Sequence, residues 1–318
     1  MRRGKVARHP ELVVLNQSEH GLYSLKMVSM SEILIAVPDA LGEVPDAVER
    51  LFAILHASST GDPIALDLTS VTWIRPYGAI CLLGVCRYLK QLTHRPVRLT
   101  GLQSDIHAYL RRIDFFKCGT ETVYTTDLFN STDDLSRSTS SSNVLELFPI
   151  CVHEDIYEVA ARARYILAYW FGSTSYDIDN IVILLSEACS NIVDHSGDAG
   201  IVTIQKYDRK HCIDVNLAIG DLGRGIRQSL MAVHGAVSDT CTGYIEQALD
   251  GLSARSGERG GQGLGAIRRI ATESGGSLHI RSEMGSVLAQ TSGTAMSDDL
   301  YFFPGTQVAI TFRSKPAT

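Results

Sequence analysis

The segment Ser131–Asn143 reads STDDLSRSTSSSN, and it limits the fold more than any other stretch of the chain. Serine, threonine and charged side chains offer almost no apolar surface, so nothing compensates the entropy of ordering them. The segment therefore reads as a connector near the middle of the chain, leaving residues 1–130 and 144–318 to fold as two units. The 318 residues are 45% hydrophobic and 20% charged, which is enough apolar material for two cores.

A net charge of -6 and a pI near 5.9 do not point to a nucleic-acid or anionic-membrane surface. The basic start, Met1-Arg2-Arg3-Gly4-Lys5, is followed by a stretch too polar for a secretory signal. The longest apolar run, Ala79–Cys86, is far shorter than the ~18 residues a membrane span needs. Seven cysteines, an odd number without a Cys-x-x-Cys pair, argue against a disulfide framework or a zinc ribbon. Most of them fit small buried residues in a reducing cytoplasm.

Strand and helix patterns alternate in the first unit, as in an α/β layer. Strands are expected at Ile33–Val37, Ile64–Leu68 and Val97–Leu99, and helices at Val44–His56, Gly78–Leu92 and Asp105–Ile113. The segment Ala65–Gly78, ALDLTSVTWIRPYG, resembles the strand-loop-helix core of STAS domains, the fold of anti-sigma-factor antagonists. In that family a serine or threonine just before the glycine accepts phosphate from a partner kinase. Tyr77 stands there in this chain, after Arg75 and Pro76, so the resemblance implies the fold without the serine phosphoswitch. An ordinary α/β domain whose Pro76-Tyr77-Gly78 only starts a helix fits the same residues.

The second unit opens with two helical patterns, Ile156–Trp170 and one from Tyr176 through Ile192. Glu187 and Asn191 lie four residues apart on the latter, on one face and one turn from each other. An amide oxygen there can ligate a hard Mg2+ ion, and a carboxylate can deprotonate a nucleophile. Alone, the pair is a weak signal and far more often marks a solvated helix flank. It stands, however, in the string Glu187-Ala-Cys-Ser-Asn191-Ile-Val-Asp-His195-Ser196. Three further strings follow: Asp221-Leu-Gly223-Arg-Gly225, Gly261-Gln-Gly263-Leu264-Gly265, and Gly305-Thr306 opening a terminal strand.

Four motifs in this order resemble the N-box, G1, G2 and closing motifs of the GHKL superfamily, which includes histidine kinases, anti-sigma-factor serine kinases and Hsp90-type ATPases. Together with the STAS resemblance and the polar connector, this resemblance implies an α/β fold throughout: a STAS-like domain at 1–130, the linker at 131–143, and a GHKL (Bergerat) α/β sandwich at 144–318. It implies ATP and Mg2+ as cofactors. Asp221 would accept a hydrogen bond from the adenine amino group, because only a donor satisfies a buried carboxylate. Gly223 and Gly225 would let the backbone approach the nucleotide. Gly261, Gly263, Leu264 and Gly265 would present backbone N–H groups to phosphates at a helix start. Thr306 completes the binding set, Asn191 is the metal ligand and Glu187 the catalytic base. His195 is expected to be structural. Arg227–Gly260 would be a mobile lid whose Arg255 or Arg259 reaches the terminal phosphate or stays solvated.

Only 33 residues separate His153 from Glu187, and two helices of the domain itself fill them, so no dimerising hairpin for a histidine kinase fits. The layout resembles the anti-sigma-factor serine kinases. The reading is a cytoplasmic regulatory ATPase or serine/threonine protein kinase acting on a protein partner, of the sigma-factor or antagonist type, with no nucleic acid or membrane and with homodimerisation open. The alternative is a nucleotide-gated binding module without phosphotransfer. Fusion would hold the two halves at roughly millimolar effective concentration.

Overall fold

The computed structural model describes residues 12–17, 23–28, 32–42, 45–57, 62–127, 144–171, 176–254 and 263–314. The linker 131–143, Arg255, Arg259 and Gly261 lie outside the described residues.

The N-terminal half begins with an antiparallel hairpin, β1 (Leu12–Gln17) and β2 (Tyr23–Val28). Its main sheet is parallel and has the order β3 (Ile33–Ala36), β5 (Ile64–Asp67), β7 (Val97–Thr100), β8 (Val123–Thr125). A short parallel pair, β4 (Ala40–Leu41) with β6 (Trp73–Ile74), stands beside it. Parallel neighbours cannot be joined by a tight turn. The crossovers accordingly carry α1 (Pro45–Ala57), α2 (Pro76–Thr93), α3 (Ser104–Arg112) and the short α4 (Phe115–Cys118). Pro76 opens α2 at its first turn, where a missing N–H costs nothing, and His94 ends it in the left-handed conformation.

The C-terminal half contains one seven-stranded antiparallel sheet. Its strands are β9 (Val144–Ile150), β10 (Gly200–Asp208), β11 (Ile213–Gly220), β12 (Ser277–Glu283), β13 (Gly285–Gln290), β14 (Gly293–Ser297) and β15 (Phe303–Ser314). They run in the order β14-β13-β12-β15-β11-β10-β9. Helices α5 (His153–Phe171), α6 (Tyr176–Asn191) and α9 (Gly263–Glu273) pack on one face of this sheet, with α7 (Gly225–His234) and α8 (Cys241–Leu249) beside them. Both halves are therefore α/β. The segment expected to be a lid is largely α7 and α8, which share a small core of Leu230, Tyr244 and Ala248. Among the described residues no helix is long and apolar enough to cross a membrane, and all seven cysteines are free thiols.

The period-two alternation of strands sorts the side chains of the large sheet. Val215, Leu217 and Ile219 of β11, with Val308 and Ile310 of β15, join the helical core. Ala218 and Ala309, on the opposite face, join the core of the N-terminal half. That opposite face is covered by α2, which explains its unusual character. Residues Ala79–Cys86 form a helix buried on nearly every side, sandwiched between the two halves. At the closest approach, a Cβ on Gly220 would stand 2.6 Å from Ile80 Cγ2, so only glycine fits.

Polar contacts cross the same interface. Arg281 of β12 is fully buried and ion-paired with Glu49 of α1, with Nε 2.5 Å from Oε1 and Nη2 3.1 Å from Oε2. Its remaining donors reach the carbonyls of Glu283 and Tyr301, and its guanidinium lies 4.3 Å over the Phe52 ring. Phe52 in turn stacks on Phe303 at 4.2 Å. The Arg75 guanidinium sits 4.2 Å over Tyr207 of β10. Tyr77 is fully buried and meets the ring of His279 edge-on at 5.4 Å.

Candidate functional site: a cleft between the helices and the sheet

The cleft opens on the helical face of the large sheet and holds about 930 Å3 of empty space, its mouth included. Glu187, Asn191, Asp221, Gly225, Gly263, Leu264 and Thr306 all line it, drawn from four separate parts of the chain. Of the remaining motif residues, Gly223 lies just behind Asp221. Gly265 sits in the first turn of α9, where an added Cβ would stand 3.0 Å from the Leu249 carbonyl. Arg259 and Gly261 fall outside the described residues.

Asp221 follows the last residue of β11 and is 6% exposed. The Ser196 hydroxyl donates to its Oδ1 at 2.6 Å, and the Gly223 N–H donates to the same oxygen at 2.8 Å. Its main chain is pinned as well. Its N–H donates to the Thr306 carbonyl at 3.0 Å, and its carbonyl accepts from Gln307 Nε2 at 3.1 Å. Two glycines make room for this arrangement. A Cβ on Gly223 would fall 2.0 Å from Ser196 Oγ. One on Gly305, whose φ of 77° already disfavours side chains, would fall 2.2 Å from the Asp221 carbonyl. Burial pushes the Asp221 carboxyl up to about 6, against the opposing pull of the Ser196 and Gly223 donors.

Ser196 owes its position to a change of helical period. After Asn191 the α6 ladder widens into a π-helical turn over Ile192–Ser196, and Gly197 closes it at φ 74°. Such one-turn insertions re-aim side chains. Here Ser196 turns to Asp221, while the His195 carbonyl accepts from Arg224 Nε at 3.2 Å and Ser229 Oγ at 3.4 Å. Ser196 and Ser229 line the cleft, and sequence reasoning assigned neither a role. The serine stands inside the N-box-like string, but an α-helical period points it elsewhere.

Glu187 and Asn191 face the cleft from adjacent turns of α6. A Cβ on Gly263 would come within 2.5 Å of Glu187 Oε2, so this carboxylate lies against the positive end of α9. The Nδ2 atom of Asn191 is buried and has no hydrogen-bond partner. A buried amide left this way carries a desolvation cost of about 1–3 kcal/mol, which a ligand in the cleft can relieve. Apolar walls from Ile192, Ile219, Leu264, Ile267 and Val308 make the rest of the cavity suited to a flat ring system.

Residues 176–315 match the family model of the histidine kinase-, DNA gyrase B- and HSP90-like ATPases. The matched stretch runs from the start of α6 through β15 and contains every described site residue named above. No curated protein matches the chain.

Proposed function

We propose that the protein is a regulatory ATP-binding protein whose cleft takes Mg-ATP and whose target is a protein partner. The observation that carries this reading is Asp221, a buried carboxylate at the base of the cleft, oriented through a single oxygen by two donors. Its other oxygen suits the adenine amino group. Guanine would bring a carbonyl to the same spot, and two facing acceptors repel, so GTP is rejected. Asn191 faces the cleft, where its amide oxygen can ligate a divalent ion held mainly by phosphate oxygens, which asks for only one or two protein ligands. Its unpartnered Nδ2–H can donate to a phosphate oxygen. When bound, Mg2+ neutralises phosphate charge and polarises the phosphoryl group. Glu187, one turn away, is the base that would take a proton from a water or from a partner's hydroxyl. The chemistry is thus ATP hydrolysis or serine/threonine phosphorylation, in a cytoplasmic signalling role of the anti-sigma type.

A second reading, a nucleotide-gated binding module without phosphotransfer, gains from one observation. The STAS-like N-terminal half covers the sheet face opposite the cleft, and its Tyr77 is fully buried there. Burial together with the neighbouring Cys81 thiol holds the Tyr77 hydroxyl well above the usual phenol range. That half serves as a docking or support domain in either reading. Incubation with γ-labelled ATP and Mg2+ separates the two. Label on an added partner or released as free phosphate is expected from the first reading. Tight ATP binding with neither outcome supports the second. Phosphopeptide mapping should find Tyr77 and Ser70 unlabelled, and phosphate on either would overturn the support role.

A further inference from the structure

We infer that Arg87, on helix α2 of the N-terminal half, is a positioning residue for the nucleotide site, acting through Asp198 on the loop that carries Asp221. The inference rests on the ATP-binding reading of the cleft and extends it across the sheet.

The connection is a short, continuous set of hydrogen bonds. Arg87 Nη2 donates to Asp198 Oδ2 at 3.0 Å and to Oδ1 at 3.3 Å, while Nη1 donates to the Ala199 carbonyl at 3.0 Å. Asp198 uses the same Oδ2 to accept the Leu222 N–H at 3.2 Å, immediately after Asp221 in the chain. The Asp198 N–H donates to Ser196 Oγ at 3.2 Å, and Ser196 holds Asp221 Oδ1 at 2.6 Å. Asp198 therefore grips the Asp221 loop on two sides, once through Leu222 and once through Ser196. Arg87 is the cation that holds Asp198 in place.

Burial and charge give the contact weight. Arg87 and Asp198 side chains are only 21% and 28% exposed, so the pair is shielded from full solvent screening. Without Arg87, a carboxylate would stand unneutralised one hydrogen-bonded residue from the carboxylate that reads adenine. The packing follows the same line, since Ile80 of α2 meets Gly220 and Leu222 joins the N-terminal core. The N-terminal half thus completes the adenine end of the cleft from behind the sheet, whereas the phosphate end, at Gly263 and α9, lies away from it. By thermodynamic reciprocity, whatever displaces α2 changes nucleotide affinity, and nucleotide binding favours the docked position of α2.

The test uses the full chain and two ligands, Mg-ATP and Mg-tripolyphosphate, titrated calorimetrically into wild type, Arg87→Met, Asp198→Ala and the double variant. Met keeps the side-chain stem and removes the guanidinium. The expected result is a loss of roughly tenfold in ATP affinity for each single variant, with tripolyphosphate affinity unchanged. The double variant should lose no more than either single, because the two residues act in one path. If Arg87→Met fails to give a cooperative melt, Asp198→Ala carries the same expectation. Unchanged ATP affinity, a parallel loss for both ligands, or additive losses in the double variant would each overturn the inference while leaving the ATP reading intact. A wild type that binds neither ligand would overturn the ATP reading and this inference with it.

Discussion

At the scale of single residues, two buried titratable groups oppose each other. Asp221 has a folded value of about 6 against 3.8 in a free side chain. The folded protein therefore binds the extra proton between those values. This group alone adds about 3 kcal/mol of stability as pH falls from 6 to 4, and costs that much above 6. His279 runs the other way, because burial, aided by Arg281, lowers it from 6.5 to about 4. The unfolded chain takes that proton first, so stability of about 3 kcal/mol is lost as pH falls from 6.5 to 4. Relative to wild type, Asp221→Asn should therefore lose stability on acidification across this window. His279→Phe, which keeps the ring contact to Tyr77, should gain it. Urea unfolding at pH 7, 5.5 and 4.5 reads both differences, and equal pH profiles for the three proteins would contradict the assignment. ATP binding has its own pH signature. Oδ1 of Asp221 is held by two donors, so the proton goes to Oδ2 and turns an O–H toward the adenine amino group, and affinity should fall by roughly tenfold between pH 7 and pH 5. That step should be missing in Asp221→Asn.

Which of these residues the sequence revealed follows from period and separation. That Glu187, Asn191 and Asp221 belong together was legible only through the four ordered motifs that resemble the GHKL pattern. The helical spacing of the first two is ambiguous by itself, and the structure brings all three to one cleft. Ser196 was not legible, because the π-helical turn breaks the 3.6-residue period at that point. The Arg281–Glu49 pair joins residues 232 positions apart, and no local pattern encodes such a contact.

At the scale of elements, helix α2 and strand β12 decide how the halves meet. The apolar run Ala79–Cys86 has no polar face because both of its sides are covered, and the sequence alone does not say which elements cover it. Helices α7 and α8 were hidden for the opposite reason: polar and glycine-rich flanks such as Gly235 and Gly251 resemble a loop. β14 was equally obscure, since all five of its residues are exposed and it lacks alternation. The buried ion pair between β12 and α1 makes a sharp prediction. Glu49→Ala leaves the Arg281 guanidinium, which is 0% exposed, without its counter-charge. Breaking a pair this way costs about 3–5 kcal/mol. The double variant Glu49→Ala with Arg281→Met should recover most of the loss, because an apolar side chain replaces the stranded charge. Chemical denaturation checks this, and a double variant no more stable than Glu49→Ala would show that the pair is not the source.

At the scale of the whole molecule, the chain is organised as helices, sheet, helix α2 and second sheet, with ATP chemistry assigned to one end of that stack. The two halves keep separate cores, and the core of the N-terminal half also takes in Ile201, Ala218, Phe303 and Ala309 from the back face of the large sheet. A fragment beginning at Val144 should therefore expose an apolar sheet face and a bare Arg281, and should melt well below the intact chain or aggregate. A fragment as stable as the full protein would show that the interface contributes little. The claim on which everything functional depends is that Asp221 reads adenine in the cleft. Calorimetric titration of the full chain with Mg-ATP and Mg-GTP, in wild type and in Asp221→Asn, tests it most directly. Wild type should bind ATP and show no measurable GTP binding, and ATP affinity in Asp221→Asn should be weaker by about 1.5–3 kcal/mol. Equal affinity for ATP and GTP, or undiminished ATP affinity in Asp221→Asn, would contradict the claim.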